Sequence, residues 1–151
     1  MRKAIALSLA AVLAAAAAPA AAQASDAECS TRTVMDAFIP VFFEQRNAKD
    51  AFEKWVHPDY INHNPMAQTG RDAAVSFLQP FFDANPEARY IVHRVIVDGD
   101  LAAVHNEARF VPGQQPMAVV DIFRVKDCKI VEHWDVIQQV PEQSMNDNGM
   151  F

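Results

Sequence analysis

The chain has 151 residues, 51% of them hydrophobic, and carries 19 acidic against 13 basic side chains for a formal net charge of −6. That acidic balance argues against nucleic acid and anionic lipid as partners, since both need a basic face. The chain opens on what reads as a secretory leader. Met1-Arg2-Lys3 is a short basic start, Ala4 to Ala18 is an uncharged Ala-rich run, and Ala22-Gln23-Ala24 is an A-x-A cleavage site. The run is too short and too Ala-rich for a good membrane anchor. Cleavage after Ala24 leaves residues 25–151, enough for one domain with a sizeable core, and losing Arg2 and Lys3 takes the formal charge to −8. The expectation is a soluble exported protein, periplasmic or secreted, with no membrane segment in its mature form.

From Thr31 the residues Val34, Phe38, Val41, Phe42 and Gln45 follow three-to-four spacing, a helix that Pro40 interrupts and kinks. Residues 47–55 read as a second short helix with Ala51, Phe52 and Trp55 on one face. The segment "HPDYINHNP" is a short extended piece with turns at each end, bounded by Pro58 and Pro65. A third helix runs from about Arg71 to Asp83 with Ala74, Val75, Leu78 and Phe82 on one face, and Pro80 bends its last turn or ends it. After "ANPEA" the period changes to two. "RYIVHRVIVDGDLAAVHNEARF" reads as two strands around the Asp98-Gly99-Asp100 turn. "VPGQQP" is another turn, followed by strands over Met117–Val125 and Lys129–Ile137 that "KDC" separates. Three helices thus precede four strands in meander order, an α+β arrangement with helices on one face of a curved antiparallel sheet.

Cys29 and Cys128 are the only cysteines. In an oxidising compartment the expectation is a disulfide, with two unpaired thiols as the open alternative, because sequence alone does not place them within bonding distance. Their spacing matches no metal motif, and no H-x-x-x-H pair, Gly-rich phosphate loop or G-x-S-x-G occurs. No metal and no organic cofactor are expected.

What remains is alternation. On one strand Asp121 and Phe123 share a face; on the next, Val131, His133 and Asp135 share a face opposite Ile130, Glu132 and Trp134. Turned inward, these residues place three ionisable groups on a concave apolar surface. An unsatisfied buried polar group costs about 1–3 kcal/mol and an unpaired charge more, so the arrangement points to function.

The motifs "YINHNP", the "DGD" hairpin and above all "VDIFRVKDCKIVEHWDVIQ", with the "NDNGMF" end, resemble the NTF2-like superfamily and within it the SnoaL-like proteins, over nearly all of residues 31–151. The resemblance implies a cone-shaped α+β barrel, three N-terminal helices on a curved, mainly antiparallel sheet, whose open end holds a ligand pocket. It leaves the reaction open, because this fold hosts isomerases, cyclases, epoxide hydrolases, dehydratases and plain binders. Asp121 falls where ketosteroid isomerases hold a protonated acid that donates to an oxyanion. Asp135 falls where limonene epoxide hydrolases carry a catalytic carboxylate. Neither enzyme's full residue set is present. The relatives' usual "DGKI" turn carries Cys128 here in place of glycine.

The expected activity is proton abstraction next to a carbonyl of a small apolar ligand, leading to aldol cyclisation, isomerisation or dehydration of the polyketide-cyclase type. His133 is the expected general base, oriented by Asp135, with Asp121 or His63 stabilising the enolate oxygen. Tyr60, His105, Phe123 and Val131 are expected to line the pocket. The competing reading is a non-catalytic ligand-binding or dimerising module. A homodimer is expected by the resemblance, through the sheet's outer face with Ile122, Trp134 and Val136.

Overall fold

The computed structural model describes residues 29–151, so the leader expected at residues 1–24 lies outside it. Helix α1 (Thr31–Ile39) starts on Ser30, whose hydroxyl accepts from the Thr33 amide, a regular N-cap. Pro40 has no N–H to donate, and the chain answers with a π-helical turn over Pro40–Glu44, closed by Gln45 N–H on Pro40 O at 3.0 Å. This is wider than the kink expected from the sequence. It buries the adjacent Phe42 and Phe43 together, which regular helical spacing would have separated. Helix α2 (Ala48–Trp55) is capped by the Asn47 side chain on the Asp50 amide.

The extended piece expected at "HPDYINHNP" is strand β1 (Val56–Asn62), a fifth strand beyond the four expected. It is an edge strand, and it runs parallel to the last strand of the sheet. Pro58 falls where pairing is interrupted between Val56 and Ile61, so its missing N–H breaks no ladder bond. Helix α3 (Arg71–Ala84) then runs straight through Pro80, one residue beyond the expected end. Pro80 and Ser76 are both exposed, which leaves the unpaired Ser76 carbonyl to solvent.

The remaining strands are β2 (Arg89–Asp98), β3 (Leu101–Arg109), β4 (Met117–Lys126) and β5 (Lys129–Gln139). They pair antiparallel in sequence order, and the sheet reads β1-β5-β4-β3-β2. Over the described residues the architecture is three helices packed on a five-stranded mixed sheet whose edges, β1 and β2, do not meet. The concave face packs Met35, Phe38, Phe52, Val104, Phe123 and Ile130 into one core with the helices.

Cys29 and Cys128 are disulfide-bonded, tying the start of α1 to the β4–β5 turn across 99 residues of sequence. That turn is made by Asp127 and Cys128, at φ 49° and 60°. The β2–β3 turn uses Gly99 at φ 58°, where no Cβ is crowded. Cys128 in the left-handed region costs about 1–2 kcal/mol. Closing so long a loop contributes about 4–5 kcal/mol in the chain-entropy account, so the crosslink outweighs the strain.

Candidate functional site

The helices and the concave face enclose a cavity of about 320 Å³. Its wall is rich in aromatic rings: Phe38, Phe42 and Phe43 come from α1 and the π turn, Phe52 from α2, Phe77 and Phe81 from α3. Its ionisable side chains apart from the tyrosines lie on one side only. Asp121 of β4 and His133 and Asp135 of β5 face in, with Phe123 beside them, because β4 and β5 pair Asp121 with Asp135 and Phe123 with His133.

The hydrogen bonds assign the protons. Asn62 Oδ1 accepts from the Asn64 amide at 3.1 Å, which fixes it as an acceptor, so His133 Nδ1 at 3.2 Å is the donor. The other ring nitrogen, Nε2, stands 2.9 Å from Asp121 Oδ1. One proton therefore lies between Asp121 and His133, carried by one or the other. Asp121 Oδ2 accepts from Asn106 Nδ2 at 2.7 Å, and both Asp121 and His133 are only 9% exposed. Asp135 Oδ2 accepts from Asn64 Nδ2 at 2.5 Å, while its other oxygen has no partner among the described residues.

Tyr60 lies in the same wall, its ring 6.4 Å from that of His133, and Tyr90 faces it from β2. Burial pushes both phenols well above the usual tyrosine range, and the charges of Asp121 and Asp135 push them further. Both remain neutral hydroxyl donors. Asp121, His133 and Asp135 also bring one potential ligand atom each to within 4.8 Å of one another. A cation there would displace the proton between Asp121 and His133. Asp121 and His133 are already satisfied by a shared proton and by the side chains of Asn106 and Asn62, so the donor set fits acid–base work better than a metal.

The sequence profile of the SnoaL-like domain matches residues 35–133. The chain belongs to the SnoaL-like domain family. Solved structures agree on the fold. An NTF2-like protein of unknown function from Mesorhizobium loti matches with a TM-score of 0.61 at 21% identity, over 72% of this chain and 90% of its own. A candidate SnoaL-like polyketide cyclase from Jannaschia sp. CCS1 matches at 0.57 and 18%, over 70% and 85%. AclR, a candidate hydroxylase from Streptomyces galilaeus, matches at 0.59 and 20%, over 74% and 80%. No curated protein matches the chain. The family segment takes in Asp121 and His133 and ends before Asp135.

In this SnoaL-like chain, Asp121, His133, Asp135, Tyr60 and Phe123 come together on the cavity wall, and three of the expected site residues do not. Val131 is the extra residue of a bulge: Arg124 pairs with Glu132 and Val125 with Ile130, so Ile130 turns inward in its place. His105 is on the outer face of β3, accepting from Arg94 Nη1 at Nδ1 (2.6 Å) and lying against Phe151. His63 is also outside, stacked on Trp134. The expected pairing of His133 with Asp135 is replaced by His133 with Asp121. Asn62, Asn64 and Asn106 were missed. "NHN" in a turn-rich piece reads as loop chemistry, and only the parallel pairing of β1 with β5 brings its side chains to the cavity.

Proposed function

We propose that the chain is an enzyme that moves a proton at a carbon next to a carbonyl, in a small and largely apolar molecule, leading to aldol cyclisation, isomerisation or dehydration. The observation that carries this reading is the polar wall: one carboxylate shares a proton with an imidazole, and a second has an oxygen free, inside an aromatic cavity. Asp135 is the base, since both nitrogens of His133 are engaged. The C–H proton passes to Asp135 and its electron pair moves onto the carbonyl oxygen. There the proton held between Asp121 and His133, with the Tyr60 and Tyr90 hydroxyls, meets the developing charge. Asp135 then returns its proton to another carbon, to a departing hydroxyl, or to the alkoxide formed when the enolate carbon attacks a second carbonyl. None of these steps calls on an organic cofactor.

The experiment follows α-proton exchange of 2-tetralone, an aromatic bicyclic ketone, in D2O by proton NMR. The wild type is expected to accelerate exchange, with the acceleration lost in Asp135→Asn and reduced in Asp121→Asn. Binding without accelerated exchange would overturn the enzymatic reading in favour of a ligand-binding module. Two statements about context accompany the proposal. Export is supported by the disulfide, which suits an oxidising compartment, and an intact mass starting at Ser25 would establish it. Homodimerisation is supported by exposed Val136 and Ile96 on the outer face, at 66% and 62%, and sedimentation tests it.

A further inference from the structure

We infer that His63, although outside the cavity, is a positioning residue that sets the hydrogen bonds of His133 and Asp135 from the opposite face of the sheet. Residues 63 and 64 continue the edge strand past its last pair, and with Asn62 they alternate about the rim of the sheet. Asn62 and Asn64 turn inward to His133 Nδ1 and Asp135 Oδ2, at 3.2 and 2.5 Å. His63 turns outward between them. Its ring lies on Trp134 with centroids 4.8 Å apart and planes 4° from parallel, and its Nε2 is 2.8 Å from Glu132 Oε1. The β5 partners alternate in step: Glu132 and Trp134 outward, His133 and Asp135 inward. The His63 amide donates to the His133 carbonyl at 2.9 Å and closes the joint.

A side-chain latch is needed here because the ladder does not supply the register. β1 pairs with β5 at Val56↔Ile130 and next at Ile61↔Glu132, so five residues of β1 span two of β5. The site end of β1 is therefore not held by continuous pairing from its start. Two pairs, Ile61↔Glu132 and Asn62↔His133, hold it, and beyond them come His63 and the Asn64 side chain. A slip of one residue would present His63 to the cavity and turn both asparagines outward. Trp134 also has the Arg124 guanidinium 5.6 Å from its ring, and Arg124 Nε donates to Glu132 Oε2 at 3.0 Å. The surface against which His63 closes is thus braced.

The inference rests on the proton-transfer reading for its effect on rate, but not for its effect on structure, and the test separates the two. His63→Ala is compared with wild type by 15N NMR of the imidazoles and of the Asn side-chain amides. In the wild type, His133 is expected to show a protonated Nδ1 and slowly exchanging amide protons at Asn62 and Asn64. In His63→Ala the Nδ1–H signature is expected to give way to a mixture of tautomers, with the amide protons exchanging at least about tenfold faster. The rate of 2-tetralone exchange is expected to fall about tenfold to a hundredfold, as for a small misplacement of reacting groups, mainly in kcat. His63→Phe keeps the stack on Trp134 without the bond to Glu132 and is expected to restore most of the Nδ1–H signature; it also serves if the alanine variant does not fold. Unchanged His133 and Asn signals in a folded His63→Ala protein would overturn the inference whatever the catalytic outcome. Loss of exchange activity in Asp135→Asn with no NMR change in either His63 variant would overturn it while leaving the proposed function standing.

Discussion

The two faces of the β4–β5 hairpin use similar residues to different ends. Inward, Asp121, His133 and Asp135 sit among phenyl rings, each held by an asparagine or by one another. Outward, Arg124 forms ion pairs with Glu132 and Asp100, and His63, stacked on Trp134, hydrogen-bonds Glu132, all partly open to solvent. The chemistry of the side chains is nearly the same, a carboxylate beside a nitrogen cation or imidazole. The surroundings differ. Water screens the outer set, so each pair contributes little, whereas inside a cavity a misplaced charge is costly and a well-placed proton can act on a ligand. One face holds the hairpin in shape; the other has the means for chemistry.

The strongest way to break this contrast is on the inside. His133→Ala is expected to lower any proton-transfer rate by about 10²–10⁴-fold and to destabilise the fold by about 1–3 kcal/mol by leaving Asp121 Oδ1 without its partner. Exchange kinetics and urea denaturation measure the two effects separately. An inner-face variant with neither effect would erase the distinction between the faces.

The next effect concerns the turn that joins the two strands. The β2–β3 turn is satisfied by glycine, while the β4–β5 turn depends on a crosslink. Replacing the pair by Cys29→Ala with Cys128→Gly is expected to cost about 3 kcal/mol, the loop-closure contribution less the strain relieved. Cys29→Ser with Cys128→Ser is expected to cost about 1 kcal/mol more, because serine keeps the left-handed strain. Denaturant midpoints of the two double variants report the difference.

A smaller effect sets two outer-face sites against each other by pH. Burial holds the His105 imidazole below its ordinary 6.5, and the neighbouring Arg94 and His93 add to it. Below pH 6.5 the unfolded chain therefore takes up a proton that the folded one resists, and stability falls with acidification from there downward. Glu132 behaves as an acid held below its ordinary 4.5, first by the hydrogen bond with His63 and then by Arg124, against an opposing contribution from burial. Its contribution is present above 4.5 and is lost as pH falls through the lower folded value. Thermal melts from pH 8 to 3 should show both windows, with the upper one absent in His105→Asn.

The smallest expected change is Glu132→Gln, about 1 kcal/mol or less in stability, as for other solvent-accessible pairs. If it instead lowers exchange activity well beyond that, the outer face is coupled to the site more tightly than through His63 alone.

The parts of this protein legible in its sequence are those that depend on local rules. The helices follow from apolar spacing, the β2–β3 hairpin from Asp98-Gly99-Asp100, and the inward face of β4 from strict alternation through Asp121 and Phe123. Alternation failed at Val131 because a bulge adds one residue and reverses the face of what precedes it. It failed for His105 because nothing in a strand's own sequence says which of two half-polar faces the helices will cover.

Tertiary structure alone decided how the site is held. Asn62 and Asn64 lie about seventy residues from His133 and Asp135, and they meet only because β1 returns to pair in parallel beside β5. The disulfide is of the same kind: both cysteines are visible, but their bonding depends on α1 starting beside the β4–β5 turn. Side-chain identity and periodicity are local, and they prescribe which residues face a cavity. Which nitrogen carries a proton, and which carboxylate holds it, depends on distances of a few ångströms between distant segments, and those exist only once the chain has folded.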